Sequence, residues 1–294
     1  MASMAIENLV LNFPNSKIVF FGSFVSINLY QNHPNLEKLV LDDSKKSKFR
    51  LFKLMQILRN LGEFDIALSF RSSFASKFGF LFLNASKKAI FNKKISNSHQ
   101  AEKYLKFVMD FLKIKQNFKN LKLYFSPKKF DKKILALNPG ASYGSAKRWY
   151  PEYFAKVGVY FKDEYEILIF GGKNEIEICE NIAEILAKNG VKFINLCGKT
   201  SIKELCENIA GVEKFITNDS GPMHIAAAFK VHTIALFGPT KFNETSPYKN
   251  ENAKILHLNL PCMPCMKRVC PIKTHDCMKN LTPNLVIKTL KEAF

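Results

Sequence analysis

The chain has 294 residues, of which 47% are hydrophobic, and its 44 basic and 25 acidic side chains give a formal net charge of +19. This length suits one large domain or two medium-sized domains with real hydrophobic cores. No stretch reaches the roughly 18 consecutive apolar residues of a membrane span, and the first residues lack the features of a secretory signal. We therefore expect a soluble, cytosolic protein. Its charge indicates an anionic partner, unless it reflects only a lysine-rich composition.

The first half of the chain is predicted to alternate short strands with helices. A lysine-rich stretch, 115–133, follows and is predicted to be a linker. In chain order, we predict a helix at 1–12, a strand at 17–22, a helix at 49–61, a strand at 65–70, a helix at 73–83, a strand at 88–91 and a helix at 98–114.

The second half alternates more regularly, which is typical of parallel βαβ units. We therefore predict an α/β protein of two Rossmann-like domains facing a cleft, residues 1–125 and 126–294. Ligands of such sheets bind beyond the carboxyl ends of the strands. Strands are predicted at 134–138, 166–170, 192–196, 214–217, 233–237 and 254–258, and helices at 151–161, 175–188, 202–210, 223–229 and 283–294.

The start of the chain departs from this pattern. It opens with a predicted helix, whereas a Rossmann-like domain normally opens with a strand that lies in the middle of its sheet. We expect that this first strand is missing from the N-terminal domain, which would leave a gap inside the sheet.

The strongest motif is TNDSGPMH at residues 217–224. It lies between a predicted strand and a predicted helix, and Pro222 with Asp219 or Ser220 as a cap is a strong helix-start signal. Free backbone N–H groups at such a helix start bind anions and suit a diphosphate, and His224 in the first turn could reach a ligand oxygen. The alternative is a well-capped helix with a packed histidine.

Two more strand–turn–helix motifs lie in the same half. Residues 138–149, NPGASYGSAKRW, combine small residues with Lys147 as a charge for phosphate, and their spacing is not that of a P-loop. Residues 170–175, FGGKNE, have two glycines that allow close approach of a ligand, and Glu175 could accept hydrogen bonds from ribose or adenine. The alternative for residues 138–149 is an ordinary loop. The alternative for Glu175 is a carboxylate that favours the first turn of its helix.

Residues 138–149 and 218–224, with FGPT at 237–240, resemble the bacterial ADP-heptose:lipopolysaccharide heptosyltransferase family, especially its type II enzymes. The resemblance implies a GT-B fold with the donor in the C-terminal domain. It also implies inverting transfer of heptose from ADP-L-glycero-D-manno-heptose to the lipopolysaccharide inner core, without a required metal or other cofactor.

By position, the resemblance also implies roles for single residues. Lys147 would stabilise the leaving group, and the family's catalytic base, an Asp after the first strand, would lie upstream of Met1. The base is thus unknown, and we expect impaired transfer. The implied donor contacts are Ser142 and Lys147 to the diphosphate, Glu175 to ribose or adenine, Asp219 to heptose hydroxyls, and Ser220, Gly221 and His224 as the phosphate turn.

The acceptor implied by the resemblance is the phosphorylated lipid A core at a membrane surface. Arg71 and Lys77 follow a predicted strand of the N-terminal domain and could bind its anionic groups, unless they belong to a solvated turn. We expect a cytoplasmic protein at the inner face of the inner membrane, where positive charge favours anionic lipid. The alternatives are a non-catalytic nucleotide- or lipid-binding remnant, a type I or III heptosyltransferase, and a nucleic-acid binder, which the scattered basic residues disfavour.

The seven cysteines fall into two groups. Cys179, Cys197 and Cys206 are predicted to be core thiols. The others, Cys262, Cys265, Cys270 and Cys277, have a spacing compatible with Zn²⁺ or an iron–sulfur cluster, although it is not that of a standard zinc finger. The alternative is a thiol-rich loop without metal.

Overall fold

The computed structural model describes residues 1–92 and 98–293. It divides into two compact units, Met1–Tyr124 and Phe125–Phe294, and the predicted domain boundary lies beside this division. Within the described ranges, no helix is both long and apolar enough to cross a membrane.

The described residues of unit 1 form five α-helices and four strands. Its predicted helices and its predicted strands at 17–22 and 65–70 are present with shifted ends, and the strand predicted at 88–91 begins earlier. The elements are α1 Ser3–Asn12, β1 Ile18–Gly22, α2 Phe24–Asn28, β2 Leu36–Leu41, α3 Arg50–Arg59, β3 Glu63–Ser69, α4 Phe74–Leu81, β4 Asn84–Ile90 and α5 Gln100–Leu112.

The sequence analysis missed α2 and β2. In β2, Glu37 and Lys38 are exposed and interrupt the apolar residues, so neither strand alternation nor a buried run is visible. α2 has five residues, too few for a helical period to show. Parallel pairing with β1 forms β2 despite its weak local pattern.

The four described strands of unit 1 form two separate parallel pairs, β1 with β2 and β3 with β4. Phe21 of β1 packs against the cluster that contains Ala67 of β3, so the pairs share apolar contacts. The apolar strand β1 has every residue only half-buried. That a first strand is missing from this unit stays a prediction.

The segment predicted to be a linker is partly bound to α1. Asn8 of α1 donates to the carbonyl of Phe118 at 2.8 Å and accepts from the amide of Asn117 at 2.7 Å. Buried Glu7 accepts a hydrogen bond from the hydroxyl of Tyr124 at 2.8 Å. The part of the segment up to Tyr124 therefore belongs to unit 1.

Unit 2 contains all the predicted strands and helices, with ends shifted by few residues, and two further short helices. The predicted last residue, Phe294, lies outside the described residues. The elements are β5 Ile134–Asn138, α6 Pro151–Tyr160, β6 Glu166–Ile169, α7 Ile176–Lys188, β7 Phe193–Asn195, α8 Ile202–Gly211, β8 Lys214–Asn218, α9 Gly221–Ala228, β9 His232–Phe237, α10 Phe242–Thr245, β10 Ala253–His257, α11 Asp276–Lys279 and α12 Pro283–Ala293.

The six strands of unit 2 form one parallel sheet in the order β10-β9-β8-β5-β6-β7. Every residue of β5 and β8 is buried, as expected for strands covered by helices on both faces. Counted from β5, the order is the Rossmann order 3-2-1-4-5-6. The chain reverses direction across the sheet between β5 and β8, which is where such folds bind ligands.

Candidate active site

A buried layer of polar side chains lies at the carboxyl ends of β5 and β8. Asn138 ends β5 and is 2% exposed, while Thr217 and Asn218 end β8 and are fully buried. The amide of Asn138 donates to the hydroxyls of Thr217 and Ser220, both at 2.9 Å. These bonds join the two predicted motifs directly.

Asn218 holds both ends of the loop that follows β5, residues 139–149, here called the lysine loop. Its side-chain amide donates to the carbonyl of Pro139 at 2.7 Å, and its side-chain oxygen accepts from the amide of Trp149 at 3.1 Å. Because Trp149 is itself buried and donates through its ring to the carbonyl of Leu281 at 2.6 Å, the far end of the loop is fixed twice.

Lys147 of the lysine loop and Asp219 form a nearly buried ion pair. Lys147 Nζ lies 2.5 Å from Asp219 Oδ2, and the two side chains are 11% and 5% exposed. The same oxygen accepts a hydrogen bond from the hydroxyl of Thr240 at 2.6 Å. No described residue donates to Oδ1, so this oxygen can bind a ligand hydroxyl.

The start of α9 differs from the prediction in its capping. Asp219 or Ser220 was expected to cap this helix, and that is wrong: Ser220 is the N-cap residue, but no described side chain caps the helix. The Ser220 hydroxyl bonds Asn138 instead, and Asp219 bonds Lys147 and Thr240. Gly221 is exposed, and a Cβ placed on it would meet nothing within 4 Å. Uncapped helix starts beside open space bind anions in many proteins, and anion binding at α9 stays a prediction.

Glu175 is brought against the lysine loop. A Cβ placed on Gly140 would lie 2.0 Å from Glu175 Oε2, so only glycine allows the carboxylate this close. The same oxygen accepts a hydrogen bond from the amide of Gly172 at 2.8 Å. Glu175 thus stabilises its own turn, in line with the alternative of a favourable first-turn carboxylate. It also lies at the edge of the site.

The role expected for Gly171 is different in the structure. It was expected to let a ligand approach, but a Cβ there would lie 2.6 Å from the sulfur of Cys197 and 2.7 Å from that of Cys179. The glycine is therefore needed for internal packing. Cys179, Cys197 and Cys206 are buried, as predicted, and burial raises the pKa of each thiol.

Residues 261–280, the cysteine loop, support the lysine loop from outside the sheet. The carbonyl of Arg268 accepts from the amide of Ala146 at 3.0 Å, and the hydroxyl of Tyr143 donates to the carbonyl of Met266 at 2.7 Å. His275 Nε2 lies 2.9 Å from the carbonyl of Ala146, the residue before Lys147. The cysteine loop therefore helps to set the position of Lys147.

The four cysteines of this loop line one small cavity of about 20 Å³ together with His275. Cys277 is buried. Its burial, and to a smaller extent the charges of the neighbouring thiolates, raises the pKa of its thiol to about 11. Among the described residues, no group of three or more His, Cys, Asp and Glu side chains is arranged to hold a metal ion. Metal binding at Cys262, Cys265, Cys270 and Cys277 stays a prediction.

The remaining predicted site residues lie in two places. Ser142 is exposed in the lysine loop, and His224 is half-buried in the first turn of α9. Arg71 and Lys77 are exposed in unit 1, after β3 and within α4. The roles of these residues in binding donor or acceptor stay predictions.

Four residues that organise the site received no role from the sequence: Asn138, Asn218, Thr240 and His275. Asn138 and Asn218 each end a strand, and two parallel strands that both end in Asn are a usable signal once they are known to be neighbours. Thr240 stands in the FGPT motif and His275 near the cysteine spacing, but neither pattern predicted the observed partners, Asp219 and the carbonyl of Ala146.

Two α/β units, of which the second has a parallel sheet in the Rossmann order with an uncapped helix start at its switch point, are the architecture of a glycosyltransferase of the GT-B class. Residues 96–275 match the profile of glycosyltransferase family 9 (heptosyltransferase). The chain belongs to this family. It is 47% identical over 300 residues to lipooligosaccharide heptosyltransferase 2 of Campylobacter jejuni, covering 99% of this chain and 93% of the relative.

Solved structures agree with the fold. The chain matches a family 9 glycosyltransferase from Veillonella parvula with a TM-score of 0.83 and 20% identity, over 99% of this chain and 92% of that one. It matches the ADP-heptose lipopolysaccharide heptosyltransferase II of E. coli with a TM-score of 0.78 and 20% identity, again over 99% and 92%. The predicted α/β fold of the GT-B class is confirmed.

Proposed function

We propose that the protein transfers heptose from ADP-heptose to the inner core of lipopolysaccharide or lipooligosaccharide, as a type II heptosyltransferase. The observation that carries the proposal is the Lys147–Asp219 pair beside the uncapped start of α9, at the switch point of the sheet. The names of the relatives, including lipooligosaccharide heptosyltransferase 2 at 47% identity, support the choice of sugar and acceptor.

In this proposal, the ADP diphosphate binds between the lysine loop and the first turn of α9. Ser142 and Lys147 contact it from one side, and Ser220, Gly221 and His224 contact it from the other. Glu175, held beside Gly140, accepts hydrogen bonds from the ribose or adenine. Asp219 binds heptose hydroxyls through Oδ1, because its other oxygen is occupied by Lys147 and Thr240.

The leaving group explains why these residue types are needed. As the bond between heptose and ADP breaks, negative charge develops on the β-phosphate. Lys147 and the positive end of the α9 dipole are already oriented in the folded protein and stabilise that charge without reorganisation. Such electrostatic stabilisation needs no metal ion.

The acceptor side is proposed to use Arg71 and Lys77 for anionic groups of the lipid A core. Both are exposed, as contact with a large phosphorylated acceptor requires. We also propose that the protein works at the cytoplasmic face of the inner membrane, where its net charge of +19 favours anionic lipid.

The test is transfer of heptose from ADP-heptose to a heptose-deficient core acceptor, followed by mass spectrometry of the acceptor. Lys147→Ala should lower kcat by about 100-fold or more, because one preorganised charge stabiliser is lost. Lys162→Ala, which removes an exposed lysine of unit 2, is the matched control and should not change the rate. ADP binding without any transfer would favour the non-catalytic nucleotide-binding remnant, and no binding of ADP would refute the proposal.

A further inference from the structure

Unit 1 carries a short surface segment in which exposed phenylalanines alternate with cations. We propose that this segment, the basic–aromatic patch, docks the protein onto an anionic lipid bilayer. The inference rests on the proposed function, which places the acceptor in a membrane. The patch consists of Lys45, Lys46, Lys48, Phe49, Arg50 and Phe52.

The apolar part of the patch is unusually open to solvent. Phe49, the N-cap residue of α3, is 76% exposed, and Phe52, in the first turn of α3, is 56% exposed. The neighbouring helix α4 carries Phe74, which is 74% exposed. Single exposed apolar residues are common, but large aromatic side chains grouped in this way mark an interaction surface.

Helix α4 packs closely on α3. A Cβ placed on Gly79 of α4 would lie 2.7 Å from Leu58 and 2.9 Å from Leu54, both on α3. Only glycine permits this close packing of α4 on α3. Leu54 and Leu58 of α3 face the core, and Phe52 remains outside.

The cations of the patch are available for a partner. Lys45, Lys46, Lys48 and Arg50 are exposed, and none has an ion-pair partner among the described residues. Lys53 is different, because its Nζ lies 2.5 Å from Asp43 Oδ2. The patch therefore presents four uncompensated positive charges beside two exposed aromatic rings.

The start of α3 adds to the positive potential. Its first turn contains no acidic residue, and the N-cap residue Phe49 offers no capping side chain. Arg50 instead places a positive charge at the positive end of the helix dipole, which destabilises an isolated helix. A local arrangement that opposes helix stability is expected where a ligand compensates it, and here the compensating ligand is anionic.

The chemistry favours a lipid surface over other anionic partners. Phenylalanine beside lysine is typical of helices that lie in the headgroup region, with rings inserted and cations on phosphates. Protein interfaces are instead depleted in lysine, and single-stranded nucleic acid needs aromatic residues along a basic groove. The patch has four exposed cations within residues 45–50, which fits a flat anionic surface.

The experiment is co-sedimentation of the full chain with vesicles of phosphatidylglycerol and phosphatidylethanolamine, and with phosphatidylcholine vesicles as a neutral reference. The chain should bind the anionic vesicles and not the neutral ones. Replacing Lys45, Lys46 and Lys48 by Gln should lower the partition coefficient about 100-fold, at roughly fivefold per cation. Phe49→Ser with Phe52→Ser should lower it by about tenfold or more.

The matched control replaces three exposed lysines of unit 2, Lys162, Lys188 and Lys192, by Gln, so that the net charge falls equally. This variant should keep most of its vesicle binding. Equal losses for both triple variants would mean that only total charge matters and would overturn the inference, as would equal binding to neutral vesicles.

Transfer to a lipid-free core oligosaccharide separates this inference from the proposed function. The patch variants should transfer heptose to the soluble acceptor at the unchanged rate and to the vesicle-embedded acceptor at a reduced rate. If the unaltered chain fails on the soluble acceptor, the proposed function fails while vesicle binding still decides the docking surface. Unchanged rates on the embedded acceptor would overturn the docking inference alone.

Discussion

Lys147 Nζ lies 2.5 Å from Asp219 Oδ2, although the two residues are 72 positions apart in the chain. The pair joins the loop after β5 to the turn after β8. Because both side chains are nearly buried, the charge of Lys147 is compensated before any ligand arrives. A phosphate that binds Lys147 must therefore compete with Asp219. Mutation of Asp219 can distinguish the contributions of the two residues to binding and to transfer.

Replacing Asp219 by Asn should lower the rate of heptose transfer without lowering the affinity for ADP. Without the carboxylate, Lys147 is free to bind phosphate, so the affinity for ADP should stay the same or rise. Transfer should fall by about 100-fold, because the proposed ligand of the heptose hydroxyls loses its charge. Calorimetric titration with ADP and the transfer assay measure the two effects. A parallel loss of ADP affinity would contradict the competition between Asp219 and phosphate.

Replacing Gly140 by Ala should weaken nucleotide binding through Glu175. The added Cβ would lie 2.0 Å from Glu175 Oε2, so the carboxylate must move away from the lysine loop. We expect KM for the donor to rise about tenfold, as for the loss of one good hydrogen bond to a charged group. Gly172→Ala is the matched control, since its Cβ would lie 3.7 Å from the same oxygen. Equal KM values for the two variants would exclude Glu175 from donor binding.

Replacing Asn218 by Ala should loosen the lysine loop at both ends. The carbonyl of Pro139 and the amide of Trp149 would lose their partners inside a buried layer, at a cost of about 1–3 kcal/mol for each unsatisfied group. Urea denaturation should show this loss, and kcat should fall because Lys147 is less well placed. Asn189→Ala removes an exposed side chain that bonds only within its own helix end and should change neither quantity.

Glu7 should contribute to the acid sensitivity of unit 1. Burial alone would raise the pKa of this carboxyl, but hydrogen bonds with His33 and Tyr124 and the charge of Lys122 hold it below its usual value. The stabilisation is therefore present above the unfolded pKa of about 4.3 and is lost as the pH falls through the lower folded pKa. Glu7→Gln should lower the free energy of unfolding by about 1–3 kcal/mol at neutral pH.

Thermal melts between neutral and acid pH measure this effect. The difference between Glu7→Gln and the unaltered chain should begin to shrink as the pH falls below about 4.3, where the unfolded chain takes up its proton. It should be lost below the lower folded pKa, where the carboxyl group is protonated in both states of the unaltered chain. Glu37→Gln is the control, since Glu37 is exposed on β2. A pH-independent difference would mean that shape, and not charge, makes Glu7 important.

Much of unit 2 was predictable because its elements have strong local patterns. The apolar run of β5 was predicted with the observed ends, and Pro151 marks the first turn of α6 as such prolines do. The short α10 and α11 have four residues each, too few to show a period. In unit 1, the exposed charges of β2 hid a strand whose formation depends on pairing with β1.

The observed role of the cysteine loop could not be predicted from its sequence pattern. Its spacing suggested a metal site, but its clearest observed role is to support the lysine loop through Met266, Arg268 and His275. Met266 and Arg268 make these contacts through their own backbone carbonyls, and every residue type has one. Sequence pattern carries no information about such contacts.

Residue patterns alone established that strands end in polar turns and that helices follow, because hydrophobic period and helix-start signals act over a few neighbouring positions. They also identified Lys147 and Asp219 as separate candidates. Strand order decided that these two would meet, since β8 lies beside β5 while β6 lies on the other side. Neighbours in a parallel sheet are chosen by burial of whole strands and by crossover connections, so contacts between their ends appear only in the folded chain.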